Sequence, residues 1–212
     1  MLSGRNNMNF LILAAGRSQR MGSNKALMLF RKKPWIEYQI QQIMGADFNC
    51  IFIVTAPESA ESLEEITKNF KNVQICINRN PERGPFSSLQ VGFNENETGP
   101  LFVSPVDTPL NSSTLLTLKM TWENHKNIDA LVPSYHNYKG HPVVLSHPFQ
   151  QRLKALNAEA PESRLDFCIH TLPEKNRIIV SIDDPLIPVN LNSPEDVVAL
   201  EKLTSPISLR LN

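Results

Sequence analysis

Several short segments of this chain hold residue types suited to gripping phosphate and a hard cation. The first is Leu13-Ala14-Ala15-Gly16-Arg17-Ser18-Gln19-Arg20-Met21-Gly22-Ser23-Asn24-Lys25, directly after an apolar run. Two alanines and Gly16 let the backbone approach a flat ligand closely, and glycine admits positive φ. Arg17, Arg20 and Lys25 add positive charge, while Ser18 and Gly22 suit a phosphate-cradling turn. The segment matches neither GxxxxGKS/T nor GxGxxG, which argues against a P-loop and against a dinucleotide-binding oxidoreductase. The same residues also read as a basic surface loop.

Further along, Asn80-Pro81-Glu82-Arg83-Gly84-Pro85-Phe86-Ser87-Ser88-Leu89 enters a helix. A helix N-terminus rimmed with serines offers N–H groups to a base edge or an anion, although it also reads as an ordinary capped helix. In Val103-Ser104-Pro105-Val106-Asp107-Thr108-Pro109 a carboxylate follows a strand and is flanked by stiffening prolines. That places Asp107 to hold a hard cation, or simply to cap a turn. The polar, aromatic stretch Tyr135-His136-Asn137-Tyr138-Lys139-Gly140-His141-Pro142 suits a partly enclosed acceptor site, with His141 equally readable as a turn residue. There is no HExxH or CxxC motif and no Ser/His/Asp or Cys/His arrangement. The three cysteines, Cys50, Cys76 and Cys168, are widely spaced, and Cys50 and Cys76 sit in apolar runs as expected buried thiols.

The elements that must position these groups alternate. Phe10–Leu13, Cys50–Val54, Val73–Ile77, Leu101–Val103, Asp129–Val132, Pro142–Leu145 and Arg177–Ile182 read as strands. Helices are expected after Pro34 (with Ile36, Ile40 and Ile43 on one face) and over Glu58–Phe70, Phe86–Phe93, Asn111–Trp122 and Pro148–Leu156. Ser112 or Ser113 would cap the Asn111–Trp122 helix. A last helix starts at Ser193-Pro194-Glu195-Asp196, with serine as cap, proline in the first turn and acids at the positive end. The segment after Leu156 reads as irregular, and Pro185–Pro188 as a connector.

Strand–helix alternation with nearly continuous apolar strands predicts an α/β fold. We expect one three-layer domain over residues 1–212, a mostly parallel sheet with helices on both faces, and residues 1–8 as a flexible lead. Ligands in such folds bind beyond the carboxyl ends of the strands. With 21 basic and 21 acidic residues in 212, the chain is formally neutral, which excludes a generally basic nucleic-acid binder. No apolar run approaches membrane-spanning length and no leader-like apolar stretch follows Arg5, so the cytoplasm is the expected location, with no membrane partner.

The first loop, Leu-Ala-Ala-Gly-x-Ser-x-Arg-Met-Gly-x-x-Lys, resembles the signature of the MobA-like nucleotidyltransferases, and within them the molybdenum cofactor cytidylyltransferases. The resemblance runs from about Met8 to about Leu203, through five motifs in order. It implies a Rossmann-like nucleotidyltransferase fold and nucleoside contacts from Leu13, Ala14, Ala15 and Gly16. It implies triphosphate contacts from Arg20 and Lys25, and base and ribose contacts from Asn80, Gly84, Ser87 and Ser88. Asp107 matches the family's Asp-x-Pro motif and would bind Mg²⁺. Asn190-Leu191-Asn192-Ser193-Pro194-Glu195-Asp196 is similar to an Asp-Ile-Asp-Thr-Pro-Glu-Asp pattern. Both aspartates are asparagine here, and Asn192 stands where the second metal ligand would be.

His141 and Arg164 would face the acceptor. Lys139 replaces an arginine before Gly140-His141-Pro142, and Asn157–Leu165 keeps only Arg164 of a Gly-Asp-x-Gly-Ala-Arg stretch. Guanylyl-transferring relatives usually show Ala-Gly-Gly where this chain has Ala14-Ala15-Gly16, which favours CTP over GTP. The implied activity is Mg²⁺-dependent transfer of CMP from CTP to a phosphorylated acceptor, molybdopterin first, with pyrophosphate released. A molybdoenzyme or its chaperone is the implied protein partner. A sugar- or alcohol-phosphate acceptor is the alternative raised by the altered 157–165 segment. A non-catalytic nucleotide-binding protein is the alternative raised by Asn190 and Asn192.

Overall fold

The computed structural model describes residues 8–16 and 24–204. The apolar runs form β1 (Asn9–Leu13), β4 (Ile51–Thr55), β5 (Val73–Ile77) and β6 (Leu101–Pro105). They lie side by side and parallel, in the order β6-β1-β4-β5. Beyond β6 the sheet continues with β9 (Val143–Leu145), β7 (Ala130–Tyr135) and β10 (Arg177–Ser181), while β8 (Tyr138–Lys139) hangs on β7. The expected mostly parallel sheet is present. Its exceptions are β9, which runs antiparallel to both β6 and β7, and the short β8, which runs antiparallel to β7.

Helices cover the sheet. α1 (Trp35–Met44) starts after Pro34 and buries Ile36, Ile40 and Ile43 as their spacing predicts. α2 (Pro57–Thr67), α3 (Pro85–Glu95) and α4 (Ser112–Asn124) follow β4, β5 and β6. α5 (His147–Lys154) follows β9, and α7 (Pro194–Leu203) closes the described chain. Two apolar clusters fill the two sides of the sheet: one contains Phe10, Ile12, Trp35 and Ile53, the other Leu11, Val54, Phe86 and Val103. Alternate residues of β1 thus feed opposite layers, as strand geometry requires.

Some sequence expectations are corrected. Asn111, rather than Ser112 or Ser113, caps α4: its Oδ1 accepts the Ser113 N–H at 3.0 Å. The segment expected to be irregular contains α6 (Leu165–His170). A short hairpin, β2 (Leu29–Phe30) with β3 (Lys33–Pro34), precedes α1. Cys76 is buried as expected, whereas Cys50 at the start of β4 is only half-buried. Met8, placed in the flexible lead by sequence, is packed in the core. No described helix is long and apolar enough to cross a membrane.

Candidate active site

Three segments distant in sequence meet at Lys25. Asn24 caps a single 3₁₀ turn, Lys25–Leu27, with its Oδ1 accepting the Ala26 N–H at 2.9 Å. Ala26 is fully buried beneath it, which anchors the turn. From there Lys25 Nζ reaches Asp107 Oδ2 at 2.7 Å and Asn192 Oδ1 at 3.2 Å. The pair is sheltered: the two side chains keep 14% and 25% of their exposure. A charge-assisted bond in such a setting is stronger than its surface counterpart.

The Asp107 turn is clamped from α1. Trp35 Nε1 donates to the Val106 carbonyl at 2.6 Å, and Gln39 Nε2 donates to the Thr108 carbonyl at 2.6 Å. Gln39 Oε1 in turn accepts the Leu110 N–H at 3.1 Å. The Val106 N–H donates to Leu13 O, joining the end of β6 to the end of β1. Sequence reading did not assign Trp35 or Gln39 to the site. The available signal was a glutamine four residues after Trp35 and four before Ile43, polar yet on the buried face of α1.

Asn192 is fixed from the other side. The Leu191 N–H donates to the Asp107 carbonyl at 2.8 Å. The N–H groups of Asn192 and Ser193 both donate to Asp196 Oδ2, closing a capping box at the start of α7. Those two N–H groups hold the Asp196 carboxyl below its usual range. Asn190 is used differently: its Oδ1 accepts from Thr108 Oγ1 at 3.2 Å. Of the two asparagines in this motif, Asn192 is therefore the one brought to Asp107 and Lys25. Among the described residues no group of three or more His, Cys, Asp or Glu side chains could hold a metal. What is present is one carboxylate and one amide oxygen converging on the Lys25 ammonium, oxygen donors of the type hard cations take.

Ala14 and Ala15 leave the end of β1 buried, and Gly16 emerges exposed with open space where a Cβ would be. The Ala14 N–H donates to Val54 O at 2.7 Å. Arg20 lies outside the described residues. After β5, the buried Asn78 organises the second motif: its Nδ2 donates to Ser87 Oγ at 2.8 Å and Ser88 Oγ at 2.9 Å. Its Oδ1 accepts the Asn80 N–H at 3.0 Å. Ser87 Oγ also donates to Gly84 O at 2.8 Å, so that hydroxyl serves the start of α3. Gly84 has φ of 88°, a conformation glycine tolerates, and Pro85 then occupies the first turn of α3. Asn78 was missed by sequence reading, although it stands directly after the strand it terminates.

Beside this frame lies a cavity of about 690 Å³. Leu13, Phe86, Leu89, Val103, Val132 and Val143 give it an apolar floor, and Lys139, Arg164, His170 and Arg177 add basic groups. His141 and Arg164, both expected to face the acceptor, line this same cavity. His141 is half-buried, and burial pushes its ring pKa down despite the Val103 backbone and the Asp107 charge. Its Nδ1 has no hydrogen-bond partner among the described residues. Arg164 is exposed and paired with Asp166 through Nη2 at 2.7 Å and Nε at 3.2 Å. Gly140 explains its own place: a Cβ there would sit 1.9 Å from Ile187 O, where the 183–191 segment crosses.

Comparisons with known proteins bear on the family and the fold. The family model described as the MobA-like NTP transferase domain matches residues 10–171. A molybdenum cofactor guanylyltransferase of Xanthomonas euvesicatoria is 28% identical over 189 residues, covering 87% of this chain and 89% of its own. A probable molybdenum cofactor guanylyltransferase of Carboxydothermus hydrogenoformans is 24% identical, covering 94% and 98%. Among solved structures, a nucleotidyl transferase from Methanothermobacter thermautotrophicus superposes with a TM-score of 0.75 at 18% identity, covering 98% of this chain and 100% of its own. A Mycobacterium tuberculosis protein solved in complex with manganese gives 0.73 at 16% identity, covering 92% and 98%. With its signature loop, its Asp107 turn and a family match over most of its length, the chain belongs to the MobA-like NTP transferase family and is a nucleotidyltransferase.

Proposed function

We propose that the protein transfers a nucleoside monophosphate from an NTP to a phosphorylated small molecule, molybdopterin first, in the cytoplasm. The observation that carries this is the convergence of Lys25, Asp107 and Asn192 beside a cavity that can take a second substrate. An acceptor phosphate oxygen forms a bond to the α-phosphorus, and the bond from that phosphorus to the pyrophosphate oxygen breaks. The attacking phosphate is already anionic, so no general base is needed. Catalysis is then alignment and charge neutralisation. Lys25 and Arg20 supply positive charge to the triphosphate, with arginine able to grip bidentately. Asp107 and Asn192 would hold the divalent ion, Mg²⁺ in this reading, which supplies further neutralisation and a template for the phosphates. An amide contributes a neutral oxygen, so this site is less charged than one with two carboxylates.

For the base, the relatives' names support GTP. The Ala14-Ala15-Gly16 sequence supports CTP. Ala15, however, belongs to the apolar cluster around Leu11 and Phe86, with 6% exposure. Its methyl group fills core space and does little to narrow a base site. Ala15 therefore raises no steric objection to a purine, and with the relatives' names GTP becomes the favoured base, with CTP as the second reading. In this reading Asn80, Gly84, Ser87 and Ser88 serve the base and ribose, with Ser87 and Ser88 buried and tied to Asn78 to shape that loop.

His141 and Arg164 would meet the acceptor, and a sugar or alcohol phosphate remains the alternative because Arg164 stands in a segment unlike the family's. The experiment is a thermal-shift panel of GTP, CTP, ATP and UTP with and without Mg²⁺, followed by pyrophosphate release with molybdopterin and with sugar phosphates. A ligand binding only the native state at 100 times its Kd adds about 2.7 kcal/mol. A shift with one nucleotide and release only with molybdopterin supports the reading. No nucleotide shift overturns it, and binding without release from any acceptor leaves a nucleotide-binding protein.

A further inference from the structure

We propose that the Lys25 ammonium is a placeholder for the metal: it holds Asp107 and Asn192 until a triphosphate draws it off, so the divalent ion enters with the nucleotide. This rests on the nucleotidyl-transfer reading above and adds an order of binding to it. Lys25 Nζ contacts Asp107 Oδ2 at 2.7 Å and Asn192 Oδ1 at 3.2 Å, the two oxygens that would bind the ion. A divalent ion held by these same two oxygens would need the space between them that Nζ now takes. Two cations cannot share it.

Charge favours the ammonium in the resting protein. One carboxylate and one ammonium sum to zero, and Asn192 contributes a neutral oxygen. Little field is left to attract a free dication. The nearby Asp196 carboxylate has one oxygen committed to the Asn192 and Ser193 N–H groups at 2.7 and 2.9 Å. A triphosphate changes the balance: it carries several negative charges for Lys25 to follow, and its oxygens add ligands to Asp107 and Asn192. Lysine suits this exchange because its charge sits on a flexible stem.

The test uses Mn²⁺ alone, without nucleotide, followed by the paramagnetic resonance of the free aquo ion. The full chain is compared with Lys25→Met, Lys25→Arg and the double variant Lys25→Met/Asp107→Asn. Removing the ammonium should tighten Mn²⁺ binding tenfold or more. Lys25→Arg, which keeps the charge, should show no gain, and the double variant should lose the gain. Should Lys25→Met not fold, Lys25→Gln, which keeps a donor for Asp107, takes its place. Tight Mn²⁺ binding by the unaltered chain would overturn the proposal, as would a folded Lys25→Met with no gain. The pyrophosphate assay judges the underlying reading separately. Absent release alongside a Mn²⁺ gain would sink the reading and spare the exchange; normal release without the gain would do the reverse.

Discussion

The two sides of the cleft are built to different standards. On the nucleotide side, β1, β4, β5 and β6 are parallel neighbours, and buried side chains tie down the loops that follow them. Trp35 and Gln39 hold the Asp107 turn, and Asn78 holds the Ser87-Ser88 start of α3. On the acceptor side the sheet reverses direction at β9, and the ion pairs of the 159–166 segment are exposed. Arg164 and Asp166 retain 69% and 70% of their exposure, and the Arg83–Glu159 pair is 3.7 Å apart and open to water. Exposed pairs of this kind contribute little stability. In the proposed reaction the difference separates two tasks: the well-clamped wall would align the phosphates, and the lightly tethered wall could be rewritten for a different acceptor without disturbing that alignment.

The largest effect should come from breaking the rigid wall at its charge. Lys25→Ala is expected to lower the rate of pyrophosphate release by about 10²–10³. Arg164→Ala should instead raise KM for the acceptor with KM for the nucleotide unchanged. Steady-state kinetics on both substrates checks this. Equal losses in the two variants, with both substrates affected, would erase the division of labour between the walls.

Next is Gly140→Ala, which tests whether the acceptor wall depends on one close approach. The added Cβ would meet backbone, Ile187 O at 1.9 Å, and backbone cannot swing aside like a side chain. Overpacking of this kind costs about 1–3 kcal/mol, and we expect the upper end. Chemical denaturation should show the loss while Mg²⁺-nucleotide still produces its thermal shift. A variant as stable as the parent would mean the 183–191 segment moves freely.

Gln39→Leu probes the rigid wall through packing. It leaves the Thr108 carbonyl and the Leu110 N–H without their partner inside the protein. An unsatisfied buried group costs about 1–3 kcal/mol, and we expect about 2 kcal/mol here. Because the Asp107 turn loosens with it, turnover should also fall, by about tenfold. Loss of stability with full turnover would show that Trp35 alone positions the turn.

The same contrast explains what could be read from the sequence. β1, β4 and β6 were legible because they are buried on both faces and their apolar runs carry few polar interruptions, whereas β5, a partly exposed edge strand, was legible from its β-formers Val73, Ile75 and Ile77. Val73–Ile77 matches β5 to the residue, and the central strands shift by one or two. Ser193-Pro194 was legible because a capping box is written in adjacent residues. The hairpins were not. Their turns place Arg31, Lys32, His136 and Asn137 at positive φ, with no glycine to mark them. α6 was hidden for a different reason: it is one short element, and Ile169 is its sole fully buried residue. Lys25, Asp107 and Asn192 were named from motifs, but their meeting is a tertiary fact. So is the role of Gln39, whose partners are 69 and 71 residues away. The reversed β9 follows from pairing choices that a three-residue strand does not encode.

The smallest expected effect concerns Asp129, which supplies the acceptor side with its best-connected polar tie. Its Oδ1 accepts from Ser146 at 3.1 Å, and its Oδ2 accepts from Asn176 at 2.9 Å and pairs with Arg152 at 2.7 Å. These contacts join the start of β7 to the cap of α5 and the turn before β10. Burial pushes the Asp129 pKa up, but the bonds from Asn176, Arg152 and Ser146 outweigh it and leave the carboxyl below its ordinary value. A carboxyl depressed in the folded state adds stability that is fully present above its unfolded pKa of about 3.9. That stability is lost as pH falls through the lower folded value. With the Arg152 side chain 53% exposed, solvent screening limits the contribution, and Asp129→Asn should cost about 1 kcal/mol or less at pH 7. Below about pH 4 the gap between variant and parent should narrow. Denaturation curves at both pH values measure it. A gap that stays constant with pH would mean that Asp129 acts through its shape and neutral hydrogen bonds, and that charge stabilises the cleft only on the Lys25 side.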